Sequence, residues 1–128
     1  MKRIIVAVLF IGAGIGQANA QDAAAGEKVF AVCKACHQVG DSAKNAVGPA
    51  LNGIVGRTAG TYPDFQYSEA NKNSGLVWTP DELDKYLTDP QKVVPKTKMI
   101  FPGVKNDEQR KDIIAYLAQF GPDGNRKQ

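Results

Sequence analysis

The most chemically distinctive residues of this chain stand together, as Cys33-Lys34-Ala35-Cys36-His37. Two thiols one helical turn apart, followed at once by an imidazole, form the C-x-x-C-H pattern of covalent c-type haem attachment. Each thiol can add to one vinyl group of the porphyrin, and the adjacent histidine is then held beneath the iron as an axial ligand. Other chemistries use parts of the same set. A thioredoxin-like redox pair needs a strand before the motif and a βαβ sheet around it, and no such pattern precedes Cys33. A disulfide between cysteines three apart closes too small a loop to stabilise much. A structural zinc site needs four ligands, and the chain holds two cysteines and one histidine.

The opposite side of the iron decides what such a centre can do. One protein ligand leaves a face open to gases or peroxide, whereas two strong ones leave little but electron exchange. Met99 is the candidate second ligand, because the other of the two methionines is Met1. It lies in Pro95-Lys96-Thr97-Lys98-Met99-Ile100-Phe101, a proline-stiffened stretch without helical periodicity. A lone methionine ordinarily fills a gap in a core. The haem motif reverses that expectation, since a thioether favours ferrous iron and raises the potential. The sequence therefore predicts one haem c per chain, joined through Cys33 and Cys36, with His37 and Met99 as the metal ligands.

Those residues need a scaffold. Lys2 and Arg3, the uncharged run Ile4 to Gly16 and then Ala18-Asn19-Ala20 make the three parts of a secretory signal. The apolar run is too short, and too rich in glycine, for a spanning helix of roughly 20 residues. Residues 1–20 are read as a signal peptide cleaved after Ala20, and residues 21–128 as one exported domain in the periplasm. Cleavage removes 20 of the 128 residues and leaves 108; it takes Lys2 and Arg3 from a formal charge of +3 and leaves +1. That balance is too small and too mixed for nucleic-acid binding by bulk electrostatics, and a hydrophobic fraction of 43% argues against wholesale disorder.

The periodicity predicts an all-α chain with three main helices, short helical turns and long loops. The first helix starts after Asp22 and runs to the cysteines, with Gly26 inside it. A helical glycine costs about 1 kcal/mol relative to alanine, so another backbone is expected to pack closely there. The second opens on Thr79-Pro80-Asp81-Glu82, a capping box with proline in the first turn, buries Leu83, Tyr86 and Leu87, and ends at Pro90. The third opens at Asn106, buries Ile113, Tyr116, Leu117 and Phe120, and stops at Gly121-Pro122. A shorter turn is expected from Ser68 to Asn73. The stretches Gln38–Tyr67 and Pro90–Lys105 read as loops, and loops of that length in a small domain usually wrap something functional.

With these features in place, the chain resembles class I cytochromes c, the family of mitochondrial cytochrome c and its small bacterial periplasmic relatives. The likeness runs from Gly26 to Leu117, through Gly48-Pro49 to Arg57, Tyr67 to Asn73, Trp78, Pro95 to Phe101 and Ile114-Ala115-Tyr116-Leu117. It implies His37 and Met99 as axial ligands, and Pro49 as the carbonyl that takes the His37 ring N–H. Arg57, Tyr67, Asn71 and Trp78 are implied to hold haem propionates and internal water. Tyr86 would face the methionine sulfur, Thr97 would lie near a propionate and Phe101 at the haem edge. Gly26, Phe30 and Tyr116 would form the crossing of the first and last helices. The chain departs from the mitochondrial pattern in a shorter turn after Phe30, in Ala50 and Asn52, and in Val32, Ala46 and Gln91, which stand where those proteins carry lysines.

The resemblance further implies a soluble monomer that is not an enzyme. It would carry single electrons from a donor of the quinol–cytochrome c reductase type to an acceptor of the terminal oxidase, reaction centre or reductase type. Charge adds a candidate docking face. Pro90 to Asn106 holds Lys92, Lys96, Lys98 and Lys105 without an acid, whereas Thr79 to Asp89 holds Asp81, Glu82, Asp84 and Asp89 against Lys85. A basic stretch flanking Met99 would steer an acidic partner, raising association rate more than affinity.

Overall fold

The structure is a computed structural model that describes residues 22–127, so the expected signal peptide, residues 1–20, and the expected cleavage after Ala20 lie outside the described residues. Five α-helices and one 3-10 turn make up the fold: α1 (Ala23–Val29), the turn Phe30–Val32, α2 (Glu69–Lys72), α3 (Pro80–Thr88), α4 (Pro90–Val93) and α5 (Asp107–Ala118). Only two isolated antiparallel bridges, Thr58 with Val77 and Phe120 with Arg126, occur among the described residues. The all-α architecture expected from periodicity is the one found.

Each helix begins where a side chain satisfies its free N–H groups. Asp22 accepts from Ala24 and Ala25, Ser68 from Asn71, Thr79 from Glu82 and Asn106 from Gln109. Two boundaries differ from the sequence reading. The first helix tightens into the 3-10 turn before it reaches the cysteines. More consequentially, Pro90 opens α4 instead of merely ending α3. Asp89 leaves the helical conformation and accepts a hydrogen bond from the Lys92 N–H, and proline then takes the first turn, where its missing N–H costs nothing. The supposed loop from Pro90 thus starts as a turn of helix. Phe120, expected on the α5 stripe, lies just past the end of that helix but is buried with it.

The core is centred on the crossing of α1 and α5. Phe30 and Ile113 are each 1% exposed, and the Phe30 and Tyr116 rings lie 5.3 Å apart. Gly26 makes the crossing possible, since a Cβ there would overlap the Asp112 carbonyl and crowd the Tyr116 Cβ. Asp112 also accepts from the Asp22 N–H at 2.9 Å, tying the start of α1 to α5. Leu83, Tyr86 and Leu87 bury one face of α3 against the same cluster.

Gly26→Ala tests the crossing. Alanine gains helix propensity of about 1 kcal/mol, yet overpacking costs about 1–3 kcal/mol, and a rigid backbone carbonyl puts this site at the upper end. A urea melt should show a clear net loss of stability, and an unchanged or raised midpoint would contradict the close approach.

Candidate haem-binding site

Beside this core lies a cavity of about 940 Å3, counting its open mouth. Its walls include Cys33, Cys36, His37, Gly48, Pro49, Tyr67, Asn71, Thr97, Met99 and Phe101. Two stretches distant in sequence, the C-x-x-C-H motif and the Met99 loop, therefore face one space.

The motif is shaped by local turns. The Cys33 N–H bonds to the Phe30 carbonyl at 2.8 Å, and the Cys36 and His37 N–H groups both bond to the Cys33 carbonyl, at 3.1 and 2.9 Å. Both thiols are half-buried and neither is in a disulfide. Burial, with the neighbouring Cys36, pushes the Cys33 thiol up to about 11. A dithiol oxidoreductase needs a depressed thiol pKa to supply thiolate, so this pair is poorly suited to that chemistry.

His37 is held by the loop that follows it. Its Nδ1 lies 2.8 Å from the Pro49 carbonyl. A proline carbonyl can only accept, so Nδ1 carries the proton and Nε2 keeps a lone pair. Burial lowers the imidazole pKa while the Pro49 bond opposes the shift, which favours the neutral ring that a metal requires. Gly48 lies flat against the imidazole, where a Cβ would overlap the ring. The Gly48 N–H bonds to the Cys36 carbonyl at 2.8 Å, and the Asn45 side chain accepts from the Ala50 N–H at 3.0 Å. Ring, motif and loop thus form one hydrogen-bonded unit.

The Met99 loop is held by α3. The buried Tyr86 hydroxyl lies 3.4 Å from the Met99 sulfur and 3.3 Å from the Thr97 hydroxyl. Thr97 in turn accepts from the Met99 N–H at 3.3 Å, and Gln91 donates to the Thr97 carbonyl at 3.1 Å. Burial raises the Tyr86 pKa, so this phenol stays a neutral donor.

The remaining predicted site residues divide. Tyr67 and Asn71 line the cavity, the Tyr67 hydroxyl accepting from the Tyr62 N–H at 3.1 Å. Arg57, Trp78 and Tyr86 stand outside its lining. The Trp78 and Tyr86 rings pack at a tilt of 49° with centroids 4.7 Å apart, and the Trp78 backbone N–H bonds to the Arg57 carbonyl at 2.8 Å. Arg57 donates to the Asn52 carbonyl and lies 4.8 Å from the Tyr62 ring. Its Nη1, together with Asn71 Oδ1, is buried without a hydrogen-bond partner. Such groups are costly to leave unpaired. An N–H of Arg57 asks for an acceptor of the kind a propionate offers, and Asn71 stands at the wall of the space a haem would fill.

The donor set fits haem c. Two thiols suit thioether links, while a neutral imidazole and a thioether are the ligand types of a cytochrome iron. The walls are mostly apolar, and they carry an unpaired buried amide oxygen. Three contributors escaped the sequence reading. In the sequence Gly48 stands out only as the start of the Gly48-Pro49 to Arg57 stretch of the resemblance, Gln91 only as a missing lysine, and Arg110 not at all. Arg110 was nonetheless visible as a charge on the buried face of α5, one turn before Ile113.

Comparison with known proteins agrees with this chemistry. The model of the family described as Cytochrome c matches residues 23–121. The chain is 48% identical over 127 residues to a cytochrome c2 of Blastochloris viridis, covering 99% of this chain and 100% of that protein. It is 54% identical over 107 residues to a cytochrome c2 of Rhodoblastus acidophilus, covering 84% of this chain and 100% of that one. The solved structure of cytochrome cH from Methylobacterium extorquens aligns with a TM-score of 0.72 at 52% identity, over 76% of this chain and 97% of that chain. Motif, cavity, helix crossing and relatives converge: the chain belongs to the class I cytochrome c family and carries one haem c covalently bound through Cys33 and Cys36.

Proposed function

We propose that this cytochrome is a soluble periplasmic one-electron carrier, not an enzyme, whose iron is ligated by His37 and Met99. The observation that carries the reading is the convergence of a proton-fixed imidazole and a tyrosine-held thioether on one cavity. When bound, haem supplies the ferric–ferrous couple. The protein's residues do the rest. Cys33 and Cys36 keep the group attached, and Pro49 holds the His37 ring in its metal-binding tautomer. Tyr86 and Thr97 hold the sulfur and its backbone, while Arg57, Tyr67, Asn71 and Trp78 serve the propionate side. Two protein ligands leave no open iron position for a substrate, which argues for transfer and against catalysis.

Export is inferred from residues 1–20. No helix among the described residues is long and apolar enough to cross a membrane.

Electron transfer needs a docking face, and the cavity mouth offers one. Val32, Val47 and Ile100 lie at it, 57%, 76% and 95% exposed, with Lys98 in the same lining; Lys92 and Lys96, exposed as well, precede it in the chain. Lys105 is partly committed, its Nζ donating to the Thr88 carbonyl at 2.6 Å. The steering charge is therefore assigned chiefly to the other three. Donors of the quinol–cytochrome c reductase type and acceptors of the oxidase, reaction centre or reductase type would meet this face transiently.

Met99→Ala should open the sixth position, allow an added ligand to bind the ferric iron and lower the reduction potential; an unchanged potential would contradict ligation by Met99. Cys36→Ser should reduce the fraction of exported protein that carries covalent haem by mass spectrometry, and full covalent loading would contradict attachment at Cys36. Lys98→Glu should slow oxidation by an acidic redox partner several-fold at low salt. The difference should vanish near 1 M salt, where the Debye length is about 3 Å. A salt-independent rate would remove Lys98 from the docking face.

A further inference from the structure

Residues 94–106 join α4 to α5 and carry Met99. Residues 100–103 in the middle of this loop make no hydrogen bond among the described residues. The loop is held at two places, each by a group of α3 together with a residue of α4 or α5. The outgoing anchor is the Tyr86–Thr97–Gln91 set described above. At the returning anchor the Val104 N–H bonds to the Leu87 carbonyl at 2.7 Å, and the Val104 carbonyl accepts from Arg110 Nη1 at 2.8 Å.

Arg110 is 6% exposed. Its Nε donates to Asp84 on α3 at 2.9 Å and its Nη2 to Asp107 at 2.5 Å. One rigid fork thus serves acceptors on three segments at once, and only a guanidinium has the donors in the right directions for that. The fork is mounted on α5, the helix that is locked against α1. Burial pulls the pKa of Arg110 down, but Asp84 and Asp107 more than offset this and the group stays charged.

We infer that Arg110 is a positioning residue for Met99, holding the returning end of the ligand loop against α3 so that the sulfur stays at the iron. The inference rests on Met99 being an axial ligand. A thioether is a neutral donor, so its hold on the iron depends on how often the loop opens. A competing ligand binds only the open form, so its apparent affinity rises in proportion to the open fraction.

Imidazole is the probe, titrated into the ferric holoprotein while the near-infrared sulfur-to-iron band is followed; urea melts report global stability in parallel. Arg110→Gln should raise imidazole affinity by about tenfold, the size of one lost hydrogen bond to a charged group. Arg110→Lys should recover part of that change. Asp112→Asn, which removes the charge from the acceptor that ties Asp22 far from the loop and so weakens that bond, should lower the urea midpoint and leave imidazole affinity within about twofold. If Arg110→Gln loses stability like Asp112→Asn but leaves imidazole affinity unmoved, the inference is overturned and Arg110 is a structural ion pair. Should Arg110→Gln fail to fold, Asp84→Asn carries the test. It keeps the arginine, weakens its fork and should raise imidazole affinity about threefold, and no change there overturns the inference equally. Absence of the band in the unaltered protein would overturn the ligand reading itself. Its presence with unmoved affinities would overturn only the role of Arg110.

Discussion

His37 can offer a lone pair to a metal only while its other nitrogen keeps the proton, and the Pro49 carbonyl at 2.8 Å fixes that choice. Much of the surrounding loop serves that bond. Gly48 lets the chain lie flat on the imidazole, its N–H ties the loop back to Cys36, and Asn45 holds the following turn. The two thiols are set by the same turn that presents the ring. The two thiols and the imidazole are consequently one local structure, and positioning the cysteines positions the histidine.

The second side is organised around α3. Tyr86 points its hydroxyl to the Met99 sulfur, Leu87 and Thr88 supply carbonyls to the returning loop, and Asp84 receives Arg110. A helix of nine residues therefore serves as the platform for the loop that carries Met99. The long helix crossing, by contrast, rests on contacts between α1 and α5. Gly26, Phe30 and Tyr116 lock the two helices together at the centre of the core. Stiff attachment on one side and a loop clamped only at its ends on the other suit a centre that must change charge with little change of shape.

The attachment motif, the helix starts with their N-cap side chains and the glycine at the crossing were legible in the sequence because each rests on neighbours close along the chain. Of the capping box at Thr79 only the cap itself forms, since the Thr79 N–H bonds to the Val77 carbonyl and Glu82 pairs with Lys85. Asn106, Thr79 and Ser68 cap as their types require, and Met99 stood out by elimination. The rest depends on contacts that spacing does not encode. Pro90 reads as a stop signal unless the preceding Asp89 is recognised as a cap for a new turn. Lys105 reads as a steering charge until the Thr88 carbonyl is seen beneath it. Gln91 and Arg110 act through partners that the fold brings together across a helix or a loop. Arg57 and Trp78 were grouped with Tyr67 and Asn71 as haem contacts, yet only the latter two line the cavity, and Arg57 retains an unpaired buried nitrogen.

The central claim is an iron held by the nitrogen of His37 and the sulfur of Met99. X-ray absorption at the iron edge of the purified, oxidised protein addresses it most directly. The account predicts six neighbours, five nitrogens and one sulfur, with the sulfur lost in a Met99 variant. A first shell of nitrogen and oxygen alone, or protein that contains no iron, would contradict it.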